Sequence, residues 1–338
     1  MPATSPSPPS PPPPFLRDTP ADLARTVALL RGGEIVALPT ETVYGLAADA
    51  LNESAVRRIF EAKGRPLLDP LIVHIAALAD AARIATLPPA LEKLAARFWP
   101  GPLTVVLQKK SNVPALVTAG LETVAVRCPA HPLTQKVLRL SGLFLAAPSA
   151  NPFGYISPTR AAHVRDSLRE KAPWVLDGGE CRHGLESTIL LLTDPARPRL
   201  LRPGPVSREE LEDVLQTSVE TAASPPPPAA APALAPGMLA RHYSPRTPIV
   251  LRDTGELPAL RGVSGEAVLW LRRPPVPTPQ AADFWLSETG DTAEIARHIF
   301  ALLRRLDAGN FSLIHAELTD GLGLGTAIND RLRRASAR

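Results

Sequence analysis

The stretch Glu34-Ile35-Val36-Ala37-Leu38-Pro39-Thr40-Glu41-Thr42-Val43-Tyr44-Gly45-Leu46 passes from an apolar run into a turn carrying two hydroxyls, a carboxylate and a phenol. Residues 34–38 read as a buried strand, because a short apolar run bounded by turn signals suits a covered sheet. Ahead of it, Thr19 and Pro20 supply the cap and first turn of a helix through Leu30, which Gly32-Gly33 closes. Polar residues at the end of such a strand stand where an open α/β sheet receives its ligands. Thr40 and Thr42 are two apart, so in extended chain they share a face and Glu41 takes the other. Paired hydroxyls can bond a small polar ligand such as an amino acid, or the neighbouring backbone.

Two further blocks repeat this pattern. Asn52 caps a helix through Ala62 with Gly64 as its stop, and Lys63 and Arg65 flank that glycine. Cations there complement the helix dipole. Pro66 and the run Leu71 to Ile75 then turn the chain back into the sheet, so the same cations reach an edge where a carboxylate, bicarbonate or phosphate can be gripped. His74 interrupts that run on the face opposite Val73 and Ile75, as a core histidine or a ligand contact. Arg127 ends a strand from Val124, with Thr123 just before it. An arginine there needs an anion, either a substrate carboxylate or an internal Asp or Glu. The strand Leu143 to Ala147 runs into Ser149-Ala150-Asn151-Pro152 and Ser157-Pro158-Thr159, with Ser157 expected to cap a helix to about Leu168 and to offer a phosphate site. Asp177-Gly178-Gly179 gives another turn. Glu186-Ser187-Thr188 and Arg202-Pro203-Gly204 add hydroxyls and a cation at strand ends.

The 338 residues allow two domains, and 45% hydrophobic content is ordinary for a globular protein. No apolar run approaches the ~18 residues of a membrane span, and the N-terminus has no secretory pattern. Two cysteines, Cys128 and Cys181, point to a reducing, cytoplasmic setting and show no metal-ligand spacing. Cys181 with His183 is too weak a pairing for nucleophilic catalysis. The charge of +4 fits an anionic substrate but is too small to argue nucleic-acid binding. The basic tail Arg331, Arg333, Arg334 and Arg338 reads as the solvated end of a helix.

Forty prolines are placed unevenly. Residues 1–14 read as a disordered tail, and 218–246, with Pro225-Pro226-Pro227-Pro228, as a Pro/Ala-rich linker. Between them, residues 15–217 alternate helix and strand patterns, with further strands at Leu103 to Gln108, Trp174 to Leu176, Ser187 to Leu192 and Arg199 to Leu201. A capping box at Ser207 opens a last helix. Residues 247–338 give strands at Thr247 to Leu251, Ala267 to Leu271 and Ser312 to His315, with helices at Thr292 to Leu306 and Ala327 to Arg334. The expected fold is α/β, a larger pocket-bearing unit with a small three-layer α/β domain. Positioning groups and cations without a nucleophile suit direct group transfer between bound substrates, with Mg²⁺ neutralising phosphate charge.

The ordered blocks Pro-Thr-Glu-Thr-Val-Tyr-Gly-Leu (39–46), Lys-Gly-Arg-Pro (63–66), Pro-Leu-Ile-Val-His (70–74), Ser-Ala-Asn-Pro (149–152), Ser-Pro-Thr (157–159), Glu-Ser-Thr-Ile (186–189) and Leu-Arg-Pro-Gly (201–204) resemble the YrdC-like family. With Pro236-Gly237-Met238, Arg241-His242-Tyr243-Ser244-Pro245 and the tail from Gly321 to Arg334, the chain is similar to the two-domain threonylcarbamoyl-AMP synthases. The resemblance implies a twisted mixed sheet with a Rossmann-like C-terminal domain. It also implies the reaction of L-threonine, bicarbonate and ATP to threonylcarbamoyl-AMP and pyrophosphate, for tRNA modification beside the anticodon. It implies catalytic roles for Lys63 and Arg65 and threonine contacts at Thr42, His74, Arg127, Ala147 and Ser187. ATP contacts are implied at Arg65, Asp69, Thr123, Ser149, Ser157, Arg202 and Tyr243. Mg²⁺ enters with ATP. The implied partners are a downstream tRNA threonylcarbamoyl-transfer machinery and tRNA itself, with no membrane. Asp69 stands where the family often has Asn, and a carboxylate there repels phosphate unless Mg²⁺ bridges them. The linker is expected to fold over the pocket as a lid. The rival readings are an RNA-binding module without catalysis and carbamoyl-adenylate chemistry on another acceptor.

Overall fold

The computed structural model describes residues 13–221, 233–238, 242–253, 256–257, 263–275 and 282–337. The expected tail, apart from its last two residues, lies outside the described residues, as do linker residues 222–232 and 239–241 and Arg338.

The larger unit runs α1 (Pro20–Arg31), β1 (Val36–Leu38), β2 (Gly45–Asp49), α2 (Glu53–Lys63), β3 (Ile72–His74), α3 (Leu78–Ala81), α4 (Ala90–Phe98), β4 (Leu103–Gln108), α5 (Ala115–Thr118), β5 (Thr123–Arg127), α6 (Pro132–Ser141), β6 (Leu145–Ala146), α7 (Ala161–Leu168), β7 (Trp174–Val175), β8 (Thr188–Leu191), β9 (Arg199–Arg202), α8 (Arg208–Leu215) and β10 (Glu220–Thr221). Local signals set several boundaries. Thr19 accepts the Asp22 N–H, Asn52 accepts the Ala55 N–H, Gly64 takes the left-handed φ of 61° that stops α2, and Ser207 and Glu210 cap one another. The Ser157 cap does not form: α7 starts at Ala161 behind Arg160, and Ser157 spends its hydroxyl on Glu186.

The strands form one mixed sheet in the order β10-β9-β8-β4-β5-β3-β6-β2-β1-β7. The sheet extends through Thr221, into the segment expected as linker. One face packs against α2, α4, α7 and α8 through residues such as Ile59, Leu94, Val164 and Leu211. On the other, α1 and α6 cover β1, β2 and β6 through Leu30, Leu133 and Val137. The rest of that face, Ile72, Val106, Ala125, Ile189 and Leu201, is covered by Ala235 and Met238 of the linker. A sheet face that no helix covers is therefore closed by linker, and the candidate site opens beside it.

The smaller unit has β11 (Ile249–Arg252), β12 (Glu266–Arg272), β13 (Asp283–Ser287), α9 (Thr292–Asp307), β14 (Leu313–Glu317) and α10 (Leu324–Ser336). Its sheet, β11-β14-β12-β13, is wholly parallel. Ala267 and Leu269 face α9 and α10, while Val268 and Trp270, on the alternate positions, pack with Leu257 and Trp285. The helices of this unit also touch the larger one. Val43, Ile156 and Leu185 join their core, and Arg304 donates to the carbonyls of Ile156 and Ser157.

Candidate active site

Three strand ends meet at the site because of register. β3 and β5 are parallel with His74 beside Arg127, and His74 faces Leu145 of antiparallel β6 on its other side. Around them a narrow cleft is lined by Thr42, Arg65, His74, Arg127, Ala147, Ser149, Ser187, Arg202 and Tyr243. Nine of the residues implied by the resemblance thus share one wall.

Each cation is held by named acceptors. Arg127 donates to Glu41 Oε1 at 2.6 Å and to the Gly101 carbonyl at 3.2 Å. The partner left open between substrate and internal acid is therefore already supplied by Glu41, whose second oxygen accepts the Ala130 N–H. Burial pushes the Glu41 carboxyl up, but Arg127 and the backbone donors outweigh it and hold it below the usual range. Arg202 donates twice to the Ser187 carbonyl, at 3.0 and 2.9 Å, and once to Pro236 of the linker. Arg65 donates to the carbonyls of Asp69 and Pro70.

The two histidines that line the cleft resist protonation. Burial, reinforced by Arg127, pulls His74 down to about 3. Burial and then Arg65 and Lys63 pull His242 well below its usual value. His74 Nδ1, His242 Nδ1 and the Tyr243 hydroxyl are buried without a hydrogen-bond partner. Buried polar atoms are normally satisfied, so three orphans on one cleft wall point to a ligand. Thr40 takes the local role: its hydroxyl donates to the Val43 carbonyl at 2.6 Å and meets Thr42 Oγ1 at 2.8 Å.

Four expected contacts stand elsewhere. Lys63 lies behind the wall and donates to the carbonyls of Ser149 and Asn151 at 2.6 and 2.5 Å, fixing the turn that carries Ser149. Asp69 faces Arg65 at 2.9 Å rather than the cleft, because a buried guanidinium needs a counter-charge. Burial lifts its carboxyl above the usual range against the pull of Arg65. Ser157 stands behind Glu186. Thr123 sits at the far end of β5, about 13 Å along extended chain from Arg127, on the sheet face it shares with Arg127 and Ala125. Tyr44 is not at the site either; its hydroxyl donates to Gly179, which gives the Asp177-Gly178-Gly179 turn its task.

The structure adds Glu186, Pro236, Gly237 and His242 to the lining. Glu186 was legible only as a carboxylate ahead of a buried strand. Its partner, Arg331 at 2.8 Å, comes from the tail expected to be solvated; that arginine is instead 1% exposed.

The family described as "Telomere recombination" matches residues 28–204, and "Threonylcarbamoyl-AMP synthase, C-terminal domain" matches residues 206–337. The threonylcarbamoyl-AMP synthase of Pyrococcus abyssi is 44% identical over 327 residues, 91% of this chain and 92% of that protein. The chain belongs to the threonylcarbamoyl-AMP synthase family. The Bacillus subtilis synthase is 40% identical over 332 residues, covering 93% of this chain and 92% of its own. The crystal structure of P. abyssi Sua5 complexed with L-threonine superposes with a TM-score of 0.87 at 40% identity, covering 95% of this chain and 96% of that one. A variant of that protein with alanine replacing a histidine and the tyrosine beside it gives 0.85 at 39% identity, covering 95% and 96%. The synthase family thus accounts for both sheets and for the linker between them.

Proposed function

We propose that this chain is a nucleotidyltransferase that makes threonylcarbamoyl-AMP from L-threonine, bicarbonate and ATP, releasing pyrophosphate. The observation that carries this is the convergence of an amino-acid-sized polar corner, Thr42, His74, Arg127 and Ser187, with two further arginines, Arg65 and Arg202, in one cleft. Arg127 suits the threonine carboxylate, because its planar fork can hold that anion beside Glu41. Neutral His74 can accept or donate one hydrogen bond without adding charge.

In the chemistry this reading requires, the threonine amine attacks the bicarbonate carbon and water leaves, giving a carbamate. A carbamate oxygen then attacks the α-phosphorus, and the bond to the bridging oxygen breaks to release pyrophosphate. Arg65 and Arg202 oppose the charge that builds on the α-phosphate. Lys63 serves the Ser149 and Asn151 carbonyls behind the wall, where burial and then Arg65 pull it well below the usual lysine value, so its part in the carbamate step would run through the turn it holds.

Magnesium belongs with the triphosphate as substrate. Of the nearby carboxylates, Glu186 is engaged by Ser157 and Arg331 and Asp69 by Arg65. The phosphates are then the natural ligands of the ion. Among the described residues no helix is long and apolar enough to cross a membrane. A cytoplasmic enzyme handing its adenylate to a tRNA threonylcarbamoyl-transfer machinery fits this reading.

Pyrophosphate release from ATP and Mg²⁺, with threonine and bicarbonate omitted in turn, tests it. Release that requires both supports the synthase. Release without threonine assigns carbamoyl-adenylate chemistry instead, and none at all from folded protein leaves a binding module.

A further inference from the structure

Arg331 belongs to α10 of the smaller unit, yet it is the largest fully buried side chain of the described residues and its charge is spent on the larger unit. Its Nε donates to Glu186 Oε2 at 2.8 Å and its Nη2 to the Pro203 carbonyl at 3.2 Å, next to Arg202. Nη1 is held by the neighbouring Asp330 at 2.7 Å. The guanidinium carbon lies 5.0 Å from the centre of the Tyr243 ring, within cation–π range. Glu186 and Tyr243 line the cleft; Arg331 does not.

The same helix pair holds the linker around Tyr243. Phe300 of α9 stacks on the Tyr243 ring at 5.5 Å, and the Arg334 carbonyl accepts from Ser244 Oγ at 3.3 Å. On the opposite side, Glu186 Oε1 accepts from the Ser157 hydroxyl. One buried guanidinium therefore joins three pieces of the chain, namely strand β8's entry at Glu186, the turn after β9 at Pro203 and the linker at Tyr243. Their mutual placement decides where the orphaned Tyr243 hydroxyl points.

We infer that Arg331 is a positioning residue of the nucleotide half of the cleft, the means by which the C-terminal domain sets the synthase's affinity for ATP. This rests on the reading of the cleft as a synthase site. Its contacts run to Glu186, which holds Ser157, to Pro203 beside Arg202, and to Tyr243, and none runs to Arg127 or His74. Loss of the guanidinium should therefore weaken ATP binding and leave threonine binding nearly unchanged.

The experiment is steady-state pyrophosphate release by the full chain and two variants, Arg331→Met and Arg331→Lys, with ATP and threonine varied separately. Methionine fills the volume but removes every donor, and the ATP KM should rise about tenfold or more, the usual effect of losing one charge-assisted hydrogen bond. The threonine KM should move less than about twofold. Lysine keeps a cation over Tyr243 but cannot serve Glu186 and Pro203 together, so its ATP KM should fall between those of wild type and Arg331→Met. A merely structural role would lower active-enzyme concentration, and hence apparent kcat, without splitting the two KM values. Wild-type KM values in a folded Arg331→Met protein, or equal rises in both, overturn the proposal. If that variant does not fold, Arg331→Lys decides alone by the same split. A wild-type chain with no threonine-dependent release would instead overturn the synthase reading, so the two failures are separable.

Discussion

Glu41 Oε1 stands 2.6 Å from Arg127 Nη2, both side chains buried, in the turn and at the strand end that together form the corner proposed for threonine. With Nε on the Gly101 carbonyl and Nη2 on Glu41, the buried guanidinium still has donors left for a second anion.

The exchange Glu41→Gln keeps an acceptor for Arg127 but removes the charge that orients it. The threonine KM should rise about tenfold, as expected for weakening a charged hydrogen bond, while the ATP KM stays within about twofold. Kinetics with each substrate varied in turn would decide it. An equal effect on both substrates would show that Glu41 supports the fold of the whole cleft rather than the threonine corner.

Lys63 illustrates why position behind a wall need not mean a passive residue. Its two short bonds to Ser149 and Asn151 make Lys63→Met a loss of about 3 kcal/mol in stability by the usual worth of charged hydrogen bonds, visible as a lower melting temperature. If the turn it holds also places Ser149 at the reacting groups, kcat should fall by about a hundredfold, the usual effect of losing one transition-state donor. Wild-type kcat in the surviving folded fraction would reduce Lys63 to a support for the Ser149 turn.

Much of this site was legible because it is built from short-range devices. Asn52, Gly64 and Ser207 act within a few residues, so caps and stops follow from local sequence. The alternation that set His74 apart from Val73 and Ile75 holds in β3, and the placement of Arg127 at a strand end holds in β5. What escaped depends on distant partners. β2, Gly45–Asp49, is too rich in glycine and alanine to announce a strand, and it forms because β1 and β6 flank it. Arg331 reads as a solvated tail charge until Glu186, 145 positions earlier in the chain, is beside it. Asp69 reads as a phosphate neighbour until its counter-charge proves to be Arg65.

Acid should destabilise the protein through its buried histidines. Burial, helped by Arg304 and Arg160, brings His163 down to about 4 from 6.5. Between those values the unfolded chain binds a proton that the folded chain refuses, so stability rises with pH across the window and is lost as pH falls through it. At about pH 5 the loss from His163 alone is about 1–2 kcal/mol, allowing for its partial exposure. The variant His163→Gln should therefore show a smaller drop in unfolding free energy between about pH 7.5 and pH 5 than wild type, measured by urea titration. An unchanged drop would place the acid sensitivity in other groups.

Gly237 sits at the point where the linker meets the cleft. Its φ of 78° is a left-handed conformation that costs a side-chain-bearing residue about 1 kcal/mol. A Cβ there would stand 2.7 Å from the Tyr243 hydroxyl and 3.1 Å from Arg202 Nη1, both proposed to meet ATP. Tyr243 is itself packed on Phe300 and Arg331 and has little room to retreat. In Gly237→Ala the linker must therefore lift from Arg202, whose Nη1 loses the Pro236 carbonyl it now holds at 3.1 Å. The ATP KM should rise about tenfold, and deletion of residues 237–245 should raise it further. The corner proposed for threonine, Thr42, His74 and Arg127, should keep its affinity in both. An unchanged ATP KM in the deletion would mean that the linker crosses the cleft without serving as its lid.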